Sequence, residues 1–138
     1  MMYLLDTMVV SEFPKRNKNL KVIEWLASKR PGELFVSVIS LGEINRGIVL
    51  QKRINPEFAN RLQQWLKEFS TTYSENLLPV TQEIALTFGN ISATVGNSSL
   101  DNLIAATAKI HNLTVATRNI KHFKMTGVAC VNPWEGDF

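Results

Sequence analysis

One cysteine, Cys130, occurs in 138 residues, so an internal disulfide is excluded. It sits in the apolar run Val128-Ala129-Cys130-Val131 and reads as a buried, inert thiol rather than a nucleophile. Neither of the two histidines, His111 and His122, pairs with it in a local signature. Long apolar runs are also lacking. No stretch approaches the roughly 20 residues that cross a bilayer, so no membrane association is expected. The opening Met1-Met2-Tyr3-Leu4-Leu5-Asp6 has no basic start and is soon interrupted by an acid, unlike a secretory leader. A cytoplasmic protein is the expectation. Repeats and low-complexity segments are absent, and charge of one sign hardly dominates: 15 Lys and Arg against 12 Asp and Glu give +3. With 45% hydrophobic and 20% charged residues, a disordered chain is excluded. The length fits a single domain, residues 1–138, with a substantial core.

What is present alternates between strand and helix patterns. Tyr3-Leu4-Leu5 is a short buried strand ending at Asp6. Residues 22–27 form an amphipathic helix closed by Pro31-Gly32. Residues 34–39 make a second strand rich in β-branched residues. Helices follow over 41–51, stopped before Pro56, and over 58–69, with Phe58, Leu62, Trp65, Leu66 and Phe69 on one face. Leu77-Leu78-Pro79-Val80 is a third strand, placed by its proline at an edge. The next helix runs from Thr81, its N-cap, to Val95, with Gly96-Asn97 as the stop. Residues 100–111 are apolar nearly all round and predict a buried helix with Asn112 as a left-handed cap. Residues 113–117 and 128–131 complete the strands. The pattern predicts an α/β layer fold with a mainly parallel sheet of four to five strands and helices on both faces. Ligands in such folds bind at the carboxyl ends of the strands, where strand order reverses.

Three acids fall at that edge. Asp6 ends the first strand, Glu43 lies early in the helix after the second, and Asp101 opens the buried helix. Converging carboxylates repel and raise one another's pKa. A bound Mg²⁺ or Mn²⁺, which prefers oxygen ligands, removes that penalty and supplies the electrostatics of phosphodiester hydrolysis. Helix capping explains the same residues equally well: Ser40-Leu41-Gly42-Glu43 spells a capping box, Ser98-Ser99-Leu100-Asp101 a related one, and Asp6 can cap the helix carrying Val9 and Val10. Spacing does not decide between the two. Thr7 can support Asp6 or a phosphate. Thr117-Arg118-Asn119 ends the fourth strand at the same edge, where Asn119 can bind a ligand or shape the turn. Gly47 inside a helix costs about 1 kcal/mol against alanine, which close packing against another element would explain. Three basic groups (Lys15, Arg16, Lys18 and Lys21; Lys52 and Arg53; Arg118, Lys121 and Lys124) can attract a polyanion or simply be solvated surface.

Leu4-Leu5-Asp6-Thr7 with Val9-Val10-Ser11-Glu12 resembles the opening of PIN-domain toxins of the VapC type, especially their FitB-like branch. Ser37 to Ile44 with Arg46-Gly47 resembles a second motif, Asp101 to Ala108 a third, and Thr117-Arg118-Asn119 with Phe123, Gly127-Val128 and Asn132-Pro133-Trp134 the C-terminal part. The resemblance implies a PIN fold and a Mg²⁺- or Mn²⁺-dependent endoribonuclease that cuts tRNA or ribosomal RNA and arrests translation. It implies a homodimer and a cognate antitoxin, which inserts a segment near the active site and through which the complex binds operator DNA. By matching position, Asp6, Glu43 and Asp101 are its metal-binding and catalytic carboxylates, with Thr7, Thr117, Arg118 and Asn119 toward substrate. The apolar residues of Val9–Phe13 and Ile44–Leu50 offer the antitoxin a surface, or are core.

Two positions depart from the family pattern. Met8 replaces an asparagine, and His122 stands where a fourth acid is usual. Neutral imidazole binds Mn²⁺ more readily than Mg²⁺, so His122 is either a further ligand or not a ligand at all. An altered fourth position also leaves open a weakly active or inactive PIN fold acting as an antitoxin-binding co-repressor. A DNA-directed nuclease is a further alternative, because RNA and DNA offer the same phosphates. A phospho-receiver domain needs paired acids after the first strand, and Thr7 follows Asp6 instead.

Overall fold

A computed structural model describes residues 1–135; the last three positions of the expected 1–138 domain lie outside the described residues. Strands β1 (Tyr3–Leu5), β2 (Leu34–Ser37), β3 (Leu77–Leu78), β4 (Thr114–Ala116) and β5 (Cys130–Val131) form one sheet in the order β3-β2-β1-β4-β5. Every neighbouring pair is parallel, with Leu5 opposite Val36 on one side and Ala116 on the other. The chain winds outward from β1 through β2 to β3, then returns to the far side of β1 for β4 and β5. Strand order therefore reverses at β1, and the mouth beyond its carboxyl end is the crevice that this topology provides for a ligand.

Side-chain alternation along three-residue strands builds two cores. Tyr3, Leu5, Leu34, Val36 and Ala116 face one side of the sheet, where they pack with Val9 and Val10 of α1 (Thr7–Val10), Val22, Trp25 and Leu26 of α2 (Leu20–Ala27), and Phe69 of α4 (Pro56–Thr72). Leu4 and Val115 face the other, against Ile84 and Ile91 of α5 (Gln82–Val95), Ile104 to Ala106 and Ala108 of α6 (Leu100–His111), and Phe123 of α7 (Ile120–Met125). Helices thus cover both faces, as the alternating pattern predicts. α3 (Val38–Lys52) lies along α4 and sends Leu41 and Ile44 to the first core and Ile39 to the second.

Most element ends follow local chemistry. Thr81 Oγ1 accepts from the Ile84 amide at 3.2 Å, and Gly96 closes α5 in the left-handed region at φ 84°, where a side chain would be strained. Asn112 caps α6 at φ 55°. β3 is an edge strand followed by Pro79. Five details differ from expectation. β2 stops at Ser37 rather than residue 39, because the Ser37 hydroxyl accepts from the Ile39 amide at 3.1 Å and starts α3 there. α3 stops before Pro56 as expected, but α4 begins at Pro56 rather than residue 58: the proline occupies its first turn, where its missing N–H is harmless, and Asn55 caps it. The six-residue α7 is absent from the periodicity reading. Gly47 packs against nothing, since a Cβ built on it meets no atom within 4 Å. Cys130, expected buried, is half-buried on the edge strand β5, and burial raises its thiol pKa.

Candidate active site

Asp6 leaves the carboxyl end of the central strand and immediately caps α1. Its Oδ1 accepts from the Thr7 amide at 2.8 Å, as the capping reading expects. Its Oδ2 accepts from the Thr117 hydroxyl at 2.8 Å. Thr117 is itself fixed, because its amide donates to Val131 and its Oγ1 accepts from the Asn119 amide at 2.9 Å. A carboxylate oxygen has two acceptor sites, so each Asp6 oxygen keeps one for another partner. The residue is only 4% exposed.

Glu43 is not a capping residue. With Ser37 starting α3, Glu43 lies in its second turn, and its Oε1 takes the Thr7 hydroxyl at 2.7 Å. Thr7 Oγ1 also lies 2.9 Å from Ser40 Oγ. A carboxylate only accepts, so Thr7 gives its one proton to Glu43 and Ser40 donates to Thr7. Ser40 is wholly buried. The chain Ser40–Thr7–Glu43 thus joins the ends of β1 and β2, and the residue after Asp6 orients the second acid. This replaces the capping box expected from Ser40 and Glu43.

Asp101 lies in the first turn of α6, whose N-cap Ser99 makes no side-chain capping bond. Asn119 Nδ2 approaches its Oδ2 at 3.5 Å, the outer limit of a hydrogen bond. Asn119 therefore reaches the acids, while the exposed Arg118 stacks its guanidinium 5.3 Å from the Trp134 ring centroid. Met8 is 46% exposed and supplies no polar group. His122 turns its Nε2 to Asn102 Oδ1 at 3.1 Å.

The field at this edge is negative. The Asp6 carboxyl is pushed up to about 6: burial raises it most, Asp101 and Glu43 add to the rise, and the hydrogen bonds from Thr117 and Thr7 hold it back. Among the described residues, no three His, Cys, Asp or Glu side chains stand as a ready-made metal cage. The three acids share an edge and a field without closing on a common point. Their chemistry fits a hard divalent cation nonetheless: the donors are carboxylate oxygens, both Asp6 oxygens have acceptor capacity left, and Asp101 and Glu43 both raise the Asp6 pKa.

An apolar cleft of about 690 Å³ adjoins the acids; it is bounded by Thr7 and Glu43, floored by Ile44, Gly47 and Ile48, and walled by Phe58, Leu62 and Trp65 of α4. Of the surface residues expected on α1 and α3, Val9 and Val10 are core, whereas Ile44 and Ile48 line this cleft. Sequence reasoning passed over Ser40 and Asn102 as site components. Both are polar residues inside apolar helical patterns, which was the available signal.

The PIN domain pattern matches residues 3–128. The chain is 34% identical to toxin FitB of Neisseria gonorrhoeae, covering 96% of this chain and 99% of that protein. It is 29% identical to the VapC ribonuclease Y4jK of Sinorhizobium fredii, covering 97% and 99%. Among solved structures, FitAB bound to an IR36 DNA fragment aligns with a TM-score of 0.85 and 33% identity over 96% of each chain. A toxin–antitoxin complex from Klebsiella pneumoniae aligns with a TM-score of 0.71 and 25% identity over 95% of this chain and 97% of that one. The matched span takes in four of the five strands, all seven helices and the three acids, and the chain belongs to the PIN domain family.

Proposed function

We propose that this chain is the toxin of a toxin–antitoxin pair and acts as a Mg²⁺- or Mn²⁺-dependent endoribonuclease. The observation that carries the reading is the interior carboxyl of Asp6 at the topological switch point, pressed by two further acids. Asp6, Glu43 and Asp101 would hold the ion, which when bound supplies the charge stabilisation that phosphodiester hydrolysis needs. Around them the chain's own residues do the positioning. Thr117 and the Thr7 amide fix the two oxygens of Asp6, and Ser40 through Thr7 fixes Glu43. Asn119 and the exposed Arg118 would lie toward the substrate, where the Arg118 guanidinium, stacked on Trp134, can offer its N–H edge to a backbone phosphate, while Thr7 and Thr117 act through the acids they hold.

The ribonuclease relative supports RNA as the substrate class, with tRNA or ribosomal RNA the targets to try first. The toxin–antitoxin complex of the same fold supports a cognate antitoxin, and the cleft beside Glu43 suits its inserted segment. Operator DNA is then bound through the antitoxin, by a homodimeric toxin in the cytoplasm. Cleavage of total RNA with Mg²⁺ or Mn²⁺ tests the reading. Activity that stops in chelator and in Asp6→Asn supports it; undiminished cleavage by either contradicts it.

The missing ready-made cage favours a second reading, an inactive PIN fold that binds antitoxin as a co-repressor. Calorimetry separates the two: no heat with Mn²⁺, alongside intact antitoxin affinity, selects the co-repressor.

A further inference from the structure

His122 occupies the position where the family pattern has an acid, yet its Nε2 is engaged with a neighbouring side chain, Asn102. We infer that His122 is a positioning residue: its Nε2–H donates to Asn102 Oδ1 and so fixes the first turn of α6, which presents Asp101. Asn102 is wholly buried. Its Nδ2 lies 2.9 Å from the Asn97 carbonyl oxygen, 3.2 Å from Asn97 Oδ1 and 3.2 Å from Ser92 Oγ. A carbonyl oxygen only accepts, so the amide cannot be flipped, and Oδ1 faces His122. That oxygen also only accepts, so the ring carries its proton on Nε2. Nε2 therefore offers no lone pair to a cation, and ligation by this ring would have to come from Nδ1.

The Asn102 amide ties together α5 through Ser92, the α5–α6 connection through Asn97, and α7 through His122. Asn97 Oδ1 further accepts from the Ser99 amide at 3.1 Å. Because Ser99 provides no side-chain cap to α6, this network does the work of one for the turn carrying Asp101. Without His122, Asn102 Oδ1 becomes a buried acceptor with no donor, and the turn loosens to let water reach it. The metal-directed part of the inference rests on the proposed function; the hydrogen bond and its effect on α6 do not.

The first arm of the test uses the metal-free protein. Long-range ¹H–¹⁵N spectra should show His122 as the Nε2–H tautomer, unchanged at saturating Mg²⁺. An Nδ1–H tautomer, or an Nδ1 resonance that moves when Mg²⁺ is added, overturns the inference. Amide hydrogen exchange of residues 101–104 should speed up about tenfold in His122→Ala and return near the parent rate in His122→Gln, whose amide can donate to Asn102. An unchanged rate in His122→Ala overturns the inference. Calorimetry with Mn²⁺ should then show affinity weakened about tenfold in His122→Ala, with unchanged stoichiometry, and restored in His122→Gln. Lost stoichiometry, or a glutamine variant as weak as alanine, marks a direct ligand and overturns it. A parent that binds no Mn²⁺ defeats the nuclease reading instead, while the tautomer and exchange measurements still decide the role of His122.

Discussion

Asp6 and Asp101 open onto the same mouth of the sheet but are held there very differently. Asp6 is interior, with short hydrogen bonds to both oxygens, and through Thr7 it is one residue from the group that orients Glu43. Asp101 is half-exposed and meets only a 3.5 Å approach from Asn119. On the proposed reading, one flank of the site is built before a cation arrives and the other would be completed by it. Fixing all three acids at ion-binding distance in the metal-free protein would concentrate their repulsion. Leaving one of them loose limits that penalty.

Breaking the rigid flank should have the largest effect. Asp6→Asn should lower RNA cleavage by about a thousandfold or more, by analogy with the loss of a group on which the reaction centre depends, measured as initial rates at saturating Mn²⁺. The same variant should be more stable than the parent without metal. Burial raises the folded-state pKa of Asp6 to about 6 from 3.8, so the native state binds this proton more tightly than the unfolded chain. Its favourable share of stability is therefore complete below about pH 4 and is lost as pH rises through about 6. A shift of this size corresponds to about 3 kcal/mol. Urea titrations of metal-free parent protein should show stability falling between those pH values, and Asp6→Asn should flatten the fall. A parent curve that rises over this interval would contradict the buried, uncompensated carboxyl.

Thr7→Val keeps the shape and the amide bond to Asp6 but removes the hydroxyl from Glu43 and Ser40. Mn²⁺ affinity should drop about 10- to 100-fold. Asn119→Ala, on the loose flank, should cost less than about fivefold; if it costs more than Thr7→Val, the contrast between the flanks is reversed. The smallest effect belongs to Gly47→Ala. With nothing within 4 Å of the new methyl group, the helix should gain about 1 kcal/mol, read as a higher midpoint in denaturant.

These contrasts mark how far the sequence was legible. Period and punctuation located all five strands, because β-branched runs and caps such as Thr81 and Asn112 act locally. The placement of the acids near the carboxyl edge of the sheet was legible as well, since Asp6 follows a strand, Glu43 lies early in a helix and Asp101 opens one. Their hydrogen bonds were not: Thr7 reaches Glu43 across 36 positions and Asp6 meets Thr117 across 111, and no local pattern reports such a meeting. Ser37 and Ser40 both precede helical sequence, and a shift of one turn in the start of α3 converts Glu43 from a cap into a site residue. α7 was missed because six residues are too few for a period to show.

β1 is three residues long, and its residues alternate between the two cores. Leu4 belongs to one core, Tyr3 and Leu5 to the other, and Asp6 follows at once. Deleting a single residue from this stretch would exchange the two faces and drag the carboxyl 3 Å back from the crevice. Insertions and deletions should therefore be tolerated in the long connections and rejected at the centre, where the chain has no slack to absorb them.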